Sequence, residues 1–155
     1  MRVIKAHNQD DIERLKPVAL EWKETCNGET LGINLAPETY YADLANLLHK
    51  PNAALFMLLN DAKNVVGYIG VECFNSPLGN QKIAQEHYWY VSESHRPHGS
   101  MQLIRIIREW AKKKGCSHLI MNTSTLASDK HDKLCSFYER LGMKKFETSF
   151  IKEIV

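Results

Sequence analysis

Apolar positions along the chain change their spacing several times, and each change marks an element. Ile12, Leu15, Val18, Ala19 and Trp22 recur at the 3.6-residue period, which predicts a first helix capped by Asp10 or Asp11 and ended at Cys26-Asn27-Gly28. Arg2 to Ala6 reads as a short strand ahead of it. Pro37 opens a second helix that runs through Leu44, Leu47 and Leu48. Ala53 to Leu59 is a continuous apolar run between Pro51-Asn52 and Asn60-Asp61, the pattern of a central strand. Val65 to Phe74 returns as its hairpin partner, with Val65, Ile69, Val71 and Cys73 expected on one face. Beyond the turn residues Ser76-Pro77-Leu78-Gly79-Asn80, Ile83 to Val91 is a strand dense in aromatics.

The strongest helical stripe follows Arg96-Pro97-His98-Gly99. It comprises Leu103, Ile104, Ile107, Trp110 and Ala111, and it closes on Lys112, Lys113, Lys114 and Gly115, where cations suit the helix dipole. His118 to Thr123 reads as a strand, Asp132 to Leu141 as a helix ended by Gly142, and Lys144 to Val155 as one or two further strands. This order predicts a mixed α/β fold in a single domain over residues 1–155, with a parallel crossover around the long helix.

Composition narrows the class. The 155 residues are 44% apolar and 25% charged, enough for one sizeable core and too apolar for wholesale disorder. Lys and Arg (20) nearly balance Asp and Glu (18), which argues against a protein built to coat nucleic acid. No apolar run approaches the roughly 18–20 residues that cross a bilayer. The start, Met1 to His7, lacks the apolar stretch of a secretory signal, so a cytoplasmic protein is expected, with neither nucleic acid nor membrane as partner. Cys26, Cys73, Cys116 and Cys135 lie far apart and read as reduced thiols. His95 and His98 form an H-x-x-H that nothing completes, so no metal is expected.

The candidate chemistry lies between the aromatic strand and the long helix, in Val91-Ser92-Glu93-Ser94-His95-Arg96-Pro97-His98-Gly99-Ser100-Met101. A strand turning into a helix N-terminus presents unpaired N–H groups, and these suit a phosphate with Arg96 and His98 beside it. The same spacing also fits an ordinary crossover with solvated basic residues. This segment resembles the V-x-P-x-x-[QR]-x-x-G-x-[GA] signature of the GNAT superfamily of acyl-CoA-dependent N-acetyltransferases, with Val91, Arg96 and Gly99 at the Val, Gln/Arg and first Gly positions. Glu93 stands where Pro is common, Met101 replaces the second small residue, and His131 takes the place of a frequent Asn. Phe137-Tyr138-Glu139-Arg140-Leu141-Gly142-Met143 resembles the family's F/L-Y-x-x-x-G-F, and the Glu86 to Val91 strand is similar to that of small phage and prophage members.

The resemblance implies a GNAT-like fold: a mixed sheet flanked by helices and splayed at an acetyl-CoA site between the Val91 strand and the His118 strand. Main-chain groups near Val91 would pair with the pantetheine arm. Arg96, Pro97 and the amides of His98, Gly99, Ser100, Met101 and Gln102 would hold the pyrophosphate, and a side chain at Gly99 would stand against it. Acetyl would pass directly to a primary amine, small molecule or protein, with Tyr138 as acid toward the leaving thiolate and either Glu86, as base or ammonium anchor, or a water chain taking the amine proton. The alternative is a non-catalytic acyl-CoA-binding sensor or interaction module on the same fold. Glu72 is a weaker carboxylate candidate, and strand alternation puts His87 on the face opposite Glu86. Tyr40, Tyr41, Tyr88, Trp89 and Tyr90 divide between core and acceptor pocket. The loops Thr25–Pro37 and Phe74–Gln81 are the acceptor loops. Cys135 shares a helix face with Tyr138 and, with no His placed to activate it, reads as packing. A second copy of the chain is kept open as a partner.

Overall fold

The computed structural model describes residues 1–154. Its sheet has five strands in chain order: β1 (Arg2–Lys5), β2 (Ala53–Leu59), β3 (Val65–Asn75), β4 (Lys82–Val91) and β5 (His118–Ile120). The first four pair antiparallel, and β5 pairs parallel to β4 across the helix that joins them. Every residue of β2 is buried, because both faces of the sheet are covered there. On one face α1 (Gln9–Glu24) and α2 (Pro37–Asn46) pack over Leu55, Met57, Tyr68 and Tyr90. On the other, α3 (His98–Lys113) packs over Phe56, Leu58, Ile69, Val71 and Val91. Helix α4 (His131–Arg140) follows β5 and sets Phe137 and Tyr138 against Trp89. The mixed sheet with its four helices is the predicted fold.

Several boundaries move, each for a local reason. The cap of α1 is Asn8, not Asp10 or Asp11: its extended backbone lets the side chain accept the Asp11 N–H at 3.1 Å, and both aspartates fill the first turn. The second helix stops at Asn46, and Leu47–His49 tightens into a 3-10 turn before Pro51. Val65 packs against the α1–α2 face while Ile69, Val71 and Cys73 face α3, because an extra residue at Val66 breaks the alternation. The β5 strand is three residues long and stops at Ile120, before Thr123. The tail from Lys144 to Ile154 forms no strand. Its Phe146, Phe150 and Ile154 are exposed, so the apolar positions that suggested pairing bury themselves nowhere, and Val155 lies outside the described residues.

Gly99 fixes how closely α3 approaches the sheet. A Cβ built there would lie 2.4 Å from Leu58 Cδ2 and 3.2 Å from Val91 Cγ1, so the missing side chain faces the core and not a phosphate, contrary to the expectation from sequence. Gly99→Ala should therefore destabilise the protein by about 1–3 kcal/mol, the usual cost of overpacking. Leu58→Ala, which makes room, should cost less in combination with it than the two single changes summed. Urea denaturation of the four proteins checks this; strict additivity would mean that the helix seats without touching Leu58.

Candidate active site

The site begins where β4 and β5 part. Their ladder covers only Ile83–Gln85 against His118–Ile120. One residue on, β4 bulges: Tyr88 opposes Gly70 and Glu86 opposes Val71, leaving His87 unpaired. Beyond the bulge β5 no longer follows, and a gap opens along β4 up to Val91. Ser92 gives its N–H to the Val66 carbonyl, so antiparallel alternation turns the main-chain groups of Trp89 and Val91 away from β3 and into that gap. The Val91 carbonyl there is taken by Arg96 Nε at 2.6 Å, and the Arg96 guanidinium lies over the Tyr90 ring. Arg96 thus braces the end of β4.

Asn122 closes the apex of the gap. Its backbone N–H donates to the Glu86 carboxylate at 3.0 Å, and its side-chain amide donates to the Glu86 carbonyl at 2.5 Å. The carboxylate and the amide stand in for ladder bonds that the bulge removed. The carbonyl of Asn122 then accepts the Tyr138 hydroxyl at 3.1 Å. Glu86 and Tyr138, distant in sequence, are joined through one residue that the sequence reading did not single out. No motif signal marks Asn122, because its role arises from the bulge.

Burial decides the electrostatics. Glu86 is the buried charged residue of the core, 5% exposed. Desolvation pushes its carboxyl up to about 7, only partly opposed by the Asn122 N–H. Burial, and then the charge of Glu86, raises the Tyr138 phenol on α4, whereas burial and the neighbouring Tyr68 hydroxyl chiefly raise that of Tyr40 on α2. Tyr138 consequently stays protonated and acts as a hydrogen-bond donor. His87 is exposed and lies 3.6 Å from Glu72, which also takes Lys50 and Asn52, so these groups form a separate cluster away from Glu86. Trp22, Tyr40 and Tyr88 form an aromatic run with centroids 4.7 and 5.3 Å apart, and Tyr40 shares a 2.8 Å hydrogen bond with Tyr68. A cavity of about 460 Å³ lies beside it between α1 and α2, lined partly by Tyr40 and Tyr41 and distinct from the gap.

The residues present fit an extended acyl-CoA. At one end, the N–H groups of His98, Gly99 and Ser100 precede the first intrahelical bond of α3, from Met101 to Pro97, and no side chain caps them. Along the gap, Trp89 and Val91 offer strand-like main-chain groups. The indole N–H of Trp89 is enclosed and has no acceptor among the described residues. Met101 and Gln102 continue the first turn of α3, Met101 exposed and Gln102 half-buried, and Pro97 is the residue before the helix. Of the two loops expected to meet the acceptor, Thr25–Pro37 is tied to the segment before α4 by bonds from Asn27 to Thr125 and Leu126, whereas Phe74–Gln81 joins the ends of β3 and β4 remote from Val91. Among the described residues no three His, Cys, Asp or Glu side chains are grouped to hold a metal ion.

A family model described as the acetyltransferase (GNAT) family matches residues 18–143. Human N-acetyltransferase 8 is 25% identical over 113 residues, 72% of this chain and 48% of that protein, and N-acetyltransferase 8B is 24% identical over 119 residues, 76% and 51%. The chain thus spans about half the length of these two relatives. In fold it is similar to a ribosomal-protein-alanine N-acetyltransferase from Brucella melitensis biovar Abortus 2308, at TM-score 0.73 and 17% identity over 99% of this chain and 100% of that one. It is also similar to AAC(6')-Iy in complex with a bisubstrate analog, CoA-S-monomethyl-acetylneamine, at TM-score 0.74 and 16% identity over 99% and 97%.

The buried carboxyl has a consequence for stability. Glu86 keeps its proton to about pH 7 in the folded protein but releases it near 4.5, its ordinary value, when unfolded. Between those values the folded state binds more protons, so this group stabilises the fold at low pH and the contribution is lost as pH rises through the window. Glu86→Gln keeps an oxygen for the Asn122 N–H and cannot ionise. It should match the wild type near pH 4 and exceed it by about 3 kcal/mol near pH 8. Urea midpoints at both pH values test this; the same difference at both would mean that the carboxyl does not titrate in a buried site.

Proposed function

The chain belongs to the GNAT acetyltransferase family, and from that premise we propose that it moves an acetyl group from acetyl-CoA to a primary amine, directly, with both substrates bound. The observation that carries this reading is the buried Glu86 carboxyl at the apex of the gap, raised to about 7, with the Tyr138 hydroxyl one residue away through Asn122. A base poised near the working pH is the most effective at taking a proton from an alkylammonium, which must be neutral to attack.

Each part of the chain then has a task. The first-turn amides of α3 hold the pyrophosphate, and Trp89 and Val91 hold the arm as a neighbouring strand would. When bound, acetyl-CoA supplies an activated acyl group as its thioester. The Trp89 indole N–H gains an acceptor from that arm. The amine approaches from the side of Tyr40 and Tyr88, whose ring centroids lie 5.3 Å apart. Glu86 takes the amine proton, and the Tyr138 O–H turns to the sulfur as it gains charge. One similar structure is named as a ribosomal-protein-alanine N-acetyltransferase and another holds an acetylneamine bisubstrate analog, which leaves the amine class wide; a panel of protein N-termini and small amines is the direct screen.

Free-thiol release with such a panel tests the reading. A rate dependent on both acetyl-CoA and an amine is expected; binding of acetyl-CoA in calorimetry with no amine-dependent thiol would favour a binding module instead. Glu86→Gln should lower turnover near pH 7 by roughly 10²–10⁴-fold and regain part of it at high pH. Tyr138→Phe should lose about 10–10³-fold in turnover with acetyl-CoA affinity kept within a few-fold. Normal turnover in either folded variant would remove that residue from the chemistry. Ser100→Asp places a carboxylate in the first turn of α3, where it suits the helix dipole but opposes a phosphate. It should leave the melting temperature intact while weakening acetyl-CoA binding at least tenfold.

A further inference from the structure

From sequence, Cys135 stood without a histidine; the fold supplies one. His131 opens α4, Cys135 follows one turn later, and its Sγ lies 3.6 Å from His131 Nε2. On the far side of the ring, Nδ1 lies 3.3 Å from Thr123 Oγ1. The imidazole is thus held between a hydroxyl and a thiol, which is the arrangement of a nucleophile, its base and the group that orients the base. The i, i+4 spacing was readable in the sequence, but the third member comes from the segment after β5 and needed the fold.

Position gives the cluster a purpose. Thr123 follows Asn122, the residue at the apex of the gap. Along that two-residue border α4 presents Tyr138 to Asn122 and His131 to Thr123. Cys135 sits on the same helix face between them, three residues before Tyr138 and four after His131. All three members of the cluster are half-buried, neither sealed in the core nor fully exposed. A cysteine that only filled the core would face apolar neighbours, whereas this one faces a ring nitrogen whose partner is fixed.

We propose that Cys135 is an acyl-acceptor site, with His131 as its base and Thr123 as the residue that positions His131, and that it exchanges with the thioester of an acyl-CoA donor in the β4–β5 gap. His131 Nε2 takes the Cys135 S–H proton. The sulfur attacks the thioester carbonyl, a new carbon–sulfur bond forms to Cys135, and the bond to the donor's sulfur breaks. The departing thiolate receives the proton from His131. One thioester replaces another, so no oxidant, reductant or further reactant is needed. The proposal rests on the reading that the donor binds in this gap.

The test uses the whole chain with acetyl-CoA and no amine, followed by intact-mass and peptide mapping. One acetyl group on Cys135, released by neutral hydroxylamine and absent in Cys135→Ala, is the expected result. His131→Gln should acetylate about 10²-fold more slowly, the scale of a lost general base, and Thr123→Val should be slower to a smaller degree. Alkylation by iodoacetamide without any donor gives an independent readout: Cys135 should react more slowly in His131→Gln than in the wild type. Calorimetric binding of acetyl-CoA without acetylation of Cys135 would overturn this proposal alone, as would equal acetylation or alkylation rates in wild type and His131→Gln. No binding at all would overturn the donor-site reading and this proposal with it.

Discussion

The bulge at His87 is the feature on which the site depends. Without it β5 could continue along β4 from Gln85 toward Val91, and the sheet would close over its own hydrogen-bonding groups. One extra residue breaks that continuation, and the Glu86 carboxylate and Asn122 amide complete the bonding at the point of rupture. The gap is held open because its apex is satisfied, not because the strands lack partners there. The same exchange places a carboxyl in the interior, where its charged form is costly and its titration moves toward neutrality. Opening the sheet and raising the titration of this carboxyl are one structural event.

A second constraint sets the opposite end of the gap. With no side chain at Gly99, α3 closes onto Leu58 and Val91, while Arg96 ties the last residue of β4 to the turn before the helix. The first-turn amides of α3 are therefore fixed relative to the main chain of Trp89 and Val91. An anion site and a strand-like edge are useful together only if their separation is rigid, since a long flexible ligand bound at two loose points would lose most of its affinity to ordering entropy.

The fold was largely legible. The apolar run of β2, the amphipathic stripe of α3 and the turn residues between elements are local signals, and they put the right elements in the right order. Errors fell where tertiary contacts override local pattern: alternation failed at Val66, and the bulge at His87 left no local mark, because bulges are set by partners across the ladder. The tail of Phe146, Phe150 and Ile154 carried strand-like composition without a strand to join. In the site, Glu86, Tyr138 and the Val91–Gln102 segment could be proposed from residue type and motif. Asn122 and the His131–Thr123 contact could not, since each depends on which residues β5 and its extension bring alongside α4.

The Tyr138 hydroxyl carries one proton, and in the free protein that proton is given to the Asn122 carbonyl. To assist the proposed transfer it must leave a neutral acceptor for the sulfur of the thioester. An uncharged thioester sulfur is the poorer acceptor, so the bond to Asn122 holds in the ground state. A forming thiolate accepts a charge-assisted bond, roughly twice as strong as a neutral one, and the preference reverses. The reversal occurs only as charge develops, which directs the interaction toward the transition state instead of toward substrate binding. The vacated Asn122 carbonyl borders the gap, where water can reach it, so the switch leaves no polar group stranded. Because Asn122 also binds Glu86, the two groups proposed for the donor and acceptor ends of the reaction share a single residue, and a change in one hydrogen bond would be felt at the other.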